Sequence, residues 1–136
     1  MLEEIDHTAD AGFKVTADSF EDMILQIAMG MLDLMYDLND VEKKQTRTLE
    51  LKAPAADLLL HDFLSELVQI TQYDQFLIKE IHFDELDLKH LVATVYGEPL
   101  DKRRHKLHSE IKGVTYHMLC AEPRGDKWFG RVIFDL

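Results

Sequence analysis

Trp128-Phe129-Gly130-Arg131-Val132-Ile133-Phe134 is the stretch that decides the fold. It alternates in polarity and is rich in strand formers. The run before it does the same, with Val114, Tyr116, Met118 and Cys120 on one parity and Thr115, His117 and Leu119 on the other. Between the two runs, Glu122-Pro123-Arg124-Gly125 sets Pro second and Gly fourth, as in a type I turn. The spacing predicts a closing β-hairpin. It also carries Asp135 and Leu136 at the end of a strand, where a chain end is otherwise expected to be solvated and frayed.

Upstream the pattern is β again as far back as Phe76. Phe76 and Ile78, then Ile81 and Phe83, are each spaced by two with a slip of parity between the pairs, which predicts a bulge or a break. Residues 91–96 are rich in strand formers, and Gly97-Glu98-Pro99 is expected to stop them. Further back the period changes. Phe20, Met23, Ile24, Ile27, Met31, Leu34 and Met35 recur three and four apart behind Ser19, a suitable N-cap with Asp22 three residues on. Leu60, Phe63, Leu64, Leu67 and Val68 form a second helical stripe, and Pro54 fits a first helical position. Residues 46–52 alternate enough for a short strand between the helices. The order strand, helix, strand, helix and then several strands gives an α+β fold. Two amphipathic helices pack on mostly antiparallel β-sheet, in a single domain over residues 1–136. A parallel doubly wound sheet is disfavoured, since few helices alternate with strands and no Gly-rich phosphate loop occurs.

With 136 residues, 46% of them apolar, the chain can bury a sizeable core. No run approaches the roughly 18 consecutive apolar residues of a membrane span. Glu3, Glu4 and Asp6 stand where a signal peptide carries positive charge, so a cytoplasmic protein with no membrane association is expected. The single Cys120 cannot form an internal disulfide, in keeping with a reducing compartment. Residues 1–90 hold seven Lys/Arg against 20 Asp/Glu, and residues 91–136 hold eight against six, for a formal net charge of −11. That balance repels phosphate backbones over most of the surface and argues against direct, tight binding of nucleic acid. The exception is Lys102-Arg103-Arg104-His105-Lys106-Leu107-His108. This basic run could touch a phosphate, a nucleotide or an acidic partner, or lie as a solvated loop after Pro99.

Asp10 and Asp135 are carried at opposite ends of the chain and could share a site, with the chain-end carboxylate of Leu136 beside Asp135. Hard oxygen donors of this kind suit Ca²⁺, Mg²⁺ or Mn²⁺. His7, beside Thr8, is expected to orient the Asp10 loop through a hydrogen bond rather than to ligate. His117 is expected to be packed on its strand, and Cys120 to be a buried thiol without a partner base. His105 and His108 lie three apart but lack the Cys or helix of a zinc site. The Met-rich face of the first helix reads as core.

His7-Thr8-Ala9-Asp10-Ala11-Gly12, Glu110-Ile111-Lys112-Gly113-Val114-Thr115-Tyr116-His117 and Val132-Ile133-Phe134-Asp135-Leu136 together resemble the archease family, in its order and spacing and over the whole chain. Gly113 and Met118 depart from the residues more usual there and leave the acidic positions untouched. The resemblance implies an archease-like α+β fold and a protein that is not itself an enzyme but activates an RtcB-type RNA ligase in tRNA splicing and RNA repair. Such a factor promotes guanylylation of the ligase and allows multiple turnover. GTP is bound by the ligase, and RNA is met only through it. It further implies a metal site at Asp10, Asp135 and Leu136, the last through main-chain oxygen, with a divalent ion, calcium, magnesium or manganese, as cofactor. Lys112 and His7 are the residues it offers for ligase activation. A small metal-dependent hydrolase, with Asp10 and Asp135 holding the ion and His117 or His7 as base, is the competing class.

Overall fold

The computed structural model describes residues 1–7 and 10–136, with Asp6 and His7 described for their backbone alone. In chain order the elements are β1 (Leu2–His7), β2 (Asp10–Ala17), α1 (Phe20–Met35), β3 (Gln45–Lys52), α2 (Ala56–Val68), β4 (Phe76–Leu86), β5 (His90–Pro99), β6 (Gly113–Val114), β7 (Cys120–Arg124) and β8 (Lys127–Asp135). A π-turn, Gln69–Tyr73, extends α2. The fold is α+β, as expected, with every strand pair antiparallel. One sheet runs β1-β2-β8-β6, with β7 also on β8, and the other runs β3-β5-β4.

Each helix forms where its apolar period is cleanest. In α1 the Ser19 hydroxyl accepts from the Asp22 amide at 3.0 Å, satisfying an otherwise orphaned donor of the first turn. Phe20, Met23, Ile24, Ile27, Met31 and Met35 are all buried, so the methionines are core. In α2 the predicted stripe is buried, but the helix begins two residues after Pro54, with Ala55 at the N-cap making no side-chain bond. The inner face of the larger sheet alternates as a half-buried sheet must. Ala11, Phe13, Val15 and Ala17 of β2 face the helices together with Val132 and Phe134 of β8. Phe13 and Phe134 meet edge-on at 6.0 Å between ring centroids.

Three local expectations are corrected. Residues 114–120 are not one strand. Val114 pairs with Phe134 and Cys120 with Arg131, so six steps of this segment span three steps of β8. The surplus residues leave the sheet as a turn closed by the Leu119 amide on the Tyr116 carbonyl, with Met118 at φ +55°. Exposed Tyr116 and Met118 kept the alternation going in sequence without being strand. The hairpin itself turns two places later than expected. Arg124 pairs with Lys127, leaving Gly125 and Asp126 as a two-residue loop whose left-handed position, φ +64°, falls to glycine. Pro123 lies within β7, an edge strand where a missing N–H costs little. Finally, β5 is not stopped at Gly97, because β4 pairs with it as far as Phe76 with Pro99. The expected bulge after Ile78 is present, and a second follows Phe83. Among the described residues no helix is long and apolar enough to cross a membrane.

Candidate functional site

The pairing of β2 with β8 sets Asp10 directly opposite Asp135. On the flanks, β1 aligns His7 with Asp10 and β6 aligns Gly113 with Asp135, so one row crosses four strands. Directly opposed residues of an antiparallel pair share a face, with Cβ atoms about 5 Å apart. The neighbouring pair, Ala11 and Phe134, is buried, so the Asp10–Asp135 pair belongs to the outer face. Asp10 is half-buried and Asp135 exposed. Gly12 makes this approach possible. A Cβ there would stand 2.3 Å from the Val132 carbonyl oxygen and 3.0 Å from the Ile133 side chain, which crosses over it.

The 111–116 segment is tied to the same place. The Lys112 amide donates to the Asp135 carbonyl at 2.7 Å while the lysine side chain stays in solvent. Ile111 is clamped by Gln72, whose amide nitrogen donates to the Ile111 carbonyl at 2.8 Å and whose oxygen accepts from its amide at 2.7 Å. His61 of α2 reaches the Val114 carbonyl through Nε2 at 2.8 Å, lies 3.0 Å from Asp62 through Nδ1, and stacks on the Tyr116 ring at 4.0 Å. Thr115 donates twice to the Ile133 carbonyl, from its amide and its hydroxyl. Leu136 is half-buried against the core, which fixes the main chain beyond Asp135. Apolar periodicity gives no sign of the roles of His61 and Gln72. The usable signal was a histidine among the buried positions of α2, since a polar group there must find a partner.

Among the described residues neither Asp10, Asp135 nor Lys112 enters an ion pair. Two carboxylates facing each other repel unless a proton or a cation sits between them. Two carboxylates and a main-chain oxygen at Leu136 are all hard donors and fit a divalent ion of the Ca²⁺, Mg²⁺ or Mn²⁺ kind. Among the described residues no group of three or more His, Cys, Asp or Glu side chains is gathered for a metal. Asp10 and Asp135 are the two side-chain donors that the β2–β8 register brings together here. The expected role of His7 toward the Asp10 loop falls on its side chain and on Thr8 and Ala9, which lie outside the described residues.

Two residues of the basic run turn inward, while Lys102, Arg103, Lys106 and His108 stay exposed. Arg104 and His105 turn onto Glu98, which is 2% exposed. The Glu98 carboxylate also accepts from the Glu42 amide at 2.7 Å and has Lys44 at 3.6 Å. Burial by itself would raise this carboxyl, but the Glu42 amide, Arg104 and His105 together bring it down to about 2. His105 accepts from the Asp101 amide through Nδ1 at 2.8 Å, so Nε2 carries the proton toward Glu98 and the ring has no nitrogen left for zinc. Two further expectations are corrected. His117 is exposed in the turn after Thr115, because the surplus residues there leave the sheet. Cys120 is half-buried on the outer face of β7 opposite Arg131, and its thiol is pushed up first by burial and then by the charge of Glu122. A raised thiol is a poor nucleophile.

Residues 2–136 match the model of the Archease protein family (MTH1598/TM1083). The chain is 37% identical over 139 aligned positions to protein archease of Methanopyrus kandleri, with 98% of each chain covered. It also resembles the solution structure of Methanobacterium thermoautotrophicum protein 1598. The TM-score is 0.80 at 33% identity, over 99% of this chain and 98% of that one. The crystal structure of an archease, possible chaperone, from Thermotoga maritima shares the fold with a TM-score of 0.69 at 20% identity, over 100% of this chain and 98% of that one.

Proposed function

This chain belongs to the archease family, and from that premise we propose that it is a metal-binding accessory factor that activates an RtcB-type RNA ligase, promoting guanylylation and multiple turnover in tRNA splicing and RNA repair. The observation that carries the reading is the opposition of Asp10 and Asp135 across β2 and β8, with Lys112 bonded to the Asp135 main chain. Carboxylates carried at opposite ends of the sequence are held side by side at the rim of a sheet. A pair at an exposed rim suits a factor that shares or hands over a divalent ion better than one that buries it. A bound ion would offset the two carboxylates and supply Lewis-acid charge toward a phosphate. The residues themselves do the rest. Asp10 and Asp135 fix the donor geometry, Gly12 keeps the strands close enough for both to serve, and Leu136 supplies a main-chain oxygen. Lys112 projects a point charge toward whatever docks beside the row.

The test is a guanylylation and multiple-turnover ligation assay with the matching ligase. It uses this protein intact and with Asp10→Ala, Asp135→Ala and Lys112→Ala. The intact protein is expected to stimulate both steps and the two aspartate variants to lose most of that stimulation. No stimulation by the intact protein would overturn the proposal. Ligation in the presence of the ligase, RNA and GTP alone provides the baseline.

A further inference from the structure

The carboxylate row depends on how the end of β8 is held, and one side of that hold is thin. On one flank β2 pairs with β8 along its whole length, from Asp10 to Ala17. On the other flank, next to Asp135, stands β6, two residues long where about five are usual for a strand. β7 pairs with β8 only from Arg131 back to Lys127. What steadies so short a strand comes from α2. His61 is 7% exposed, on a face otherwise made of Leu59, Leu60, Phe63, Leu64 and Leu67. A polar ring there costs free energy unless its nitrogens find partners, a demand that a leucine would not make. Nε2 donates to the Val114 carbonyl at 2.8 Å, Nδ1 lies 3.0 Å from the Asp62 carboxylate, and the ring face carries Tyr116 at 4.0 Å and 16°. A carbonyl can only accept, so Nε2 bears a proton. Asp62 sets the rotation of the ring and Tyr116 bears on its face, so Nε2 has one place to point.

From Val114 to the row the path is short. Val114 stands opposite Phe134, and Gly113 opposite Asp135. The Lys112 amide donates to the Asp135 carbonyl at 2.7 Å, and the Thr115 amide to the Ile133 carbonyl at 3.0 Å. The bond from α2 thus lies one residue from the pairing that places Asp135 and two from the amide that holds its main chain. Gln72 grips the same segment upstream at Ile111 through two hydrogen bonds, so loss of the His61 bond frees Val114 without releasing the whole segment. We propose that His61 is a positioning residue for the carboxylate row. Its bond to the Val114 carbonyl seats β6 against β8 and so fixes Asp135, and the main chain on to Leu136, without touching the ion. Donors held in place before an ion arrives lose less freedom on binding it, whereas a carboxylate on a loosened strand end must be ordered by the ion itself. The proposal rests on the reading of the row as an ion site.

Two measurements on the whole protein test it together, amide hydrogen exchange without metal and Mn²⁺ calorimetry. His61→Phe keeps a ring against Tyr116 and removes both nitrogens. It is expected to speed exchange of the Lys112 and Thr115 amides at least tenfold while the amides of β4 and β5 keep their rates, and to lower Mn²⁺ affinity roughly tenfold. His61→Gln, whose amide nitrogen can reach the same carbonyl, restores affinity to within about twofold of the parent. Asp62→Ala removes the group that orients the ring, and because that side chain is 44% exposed it opens no core cavity. It moves both readouts in the same direction by a smaller factor. Parental exchange at Lys112 and Thr115 in His61→Phe, parental Mn²⁺ affinity despite faster exchange, or acceleration shared equally by β4 and β5 with no rescue by glutamine overturns the proposal. Should His61→Phe not fold, Asp62→Ala decides, and parental values of both readouts in that variant overturn it. Absence of Mn²⁺ binding by the parent would overturn the metal reading itself, and the exchange rates then decide whether His61 fixes Asp135.

Discussion

Glu98 and the Asp10–Asp135 pair are both acidic sites close to a strand end, yet the protein treats them in opposite ways. Glu98 is sunk beneath the surface and answered from within by an arginine, a histidine, an amide and a nearby lysine. The aspartates are set face to face at a sheet rim, with no cation paired to them among the described residues. The first arrangement is closed, since each carboxylate oxygen has its donors and the group serves stability. The second lies at the rim, with Asp135 exposed and Asp10 half-buried, within reach of a group from outside. A carboxylate's use is thus written in the groups around it, and a chain with 26 acidic residues can hold both kinds.

The sharpest way to break the contrast is to remove the rim pair. With Asp10→Asn and Asp135→Asn together, calorimetry is expected to show Mn²⁺ affinity falling roughly 100-fold, while Tm stays within about 2 °C of the parent. Unchanged affinity would put the ion elsewhere. Glu98→Gln is expected to act the other way, costing about 2 kcal/mol in urea denaturation because Arg104 and His105 lose a charged partner, with Mn²⁺ affinity unaltered. The pH dependence follows from the depressed carboxyl. Folded near 2 against a usual 4.5, Glu98 stabilises fully above about 4.5, and that contribution drains away as pH falls toward 2. Stability curves of parent and Glu98→Gln should therefore converge across that window, and parallel curves would unlink Glu98 from acid unfolding. Gly12→Ala is expected to cost about 1.5 kcal/mol by forcing β2 from β8. It should also lower Mn²⁺ affinity without touching a ligand, and a stable variant with full affinity would show that the close approach is dispensable. The smallest effect is relief of repulsion. Asp135→Asn without metal is expected to gain about 0.3 kcal/mol, a gain that disappears near 1 M salt.

The helices were legible because apolar spacing of three and four has one structural meaning, and Ser19 marked where the first begins. The bulge after Ile78 was legible because a slip of parity in a strand cannot be hidden. Residues 114–120 were misread for the complementary reason. Tyr116 and Met118 sit on the expected parity but face solvent, and only the register of Val114 and Cys120 against β8 exposes the three surplus residues. Glu98 lay hidden inside a tripeptide that reads as a stop signal, since nothing local announces that Arg104 and His105 will come back to it. Spacing alone offered Asp10 and Asp135 as possible partners. Their direct opposition is a long-range pairing that the β2–β8 register reveals.

That register has a consequence in time. Asp10 and Asp135 meet only after nearly the whole chain has closed into a loop, whereas β4 and β5 are joined by the few residues between Leu86 and His90. Distant pairings are entropically late and local ones early. The three-stranded sheet can form soon after collapse, and the larger sheet must wait for its two interior strands to find each other. Until then each presents an unpaired edge to every other molecule in solution, so the row of acidic residues is the last part of this protein to come into being and the one most exposed to a wrong partner on the way.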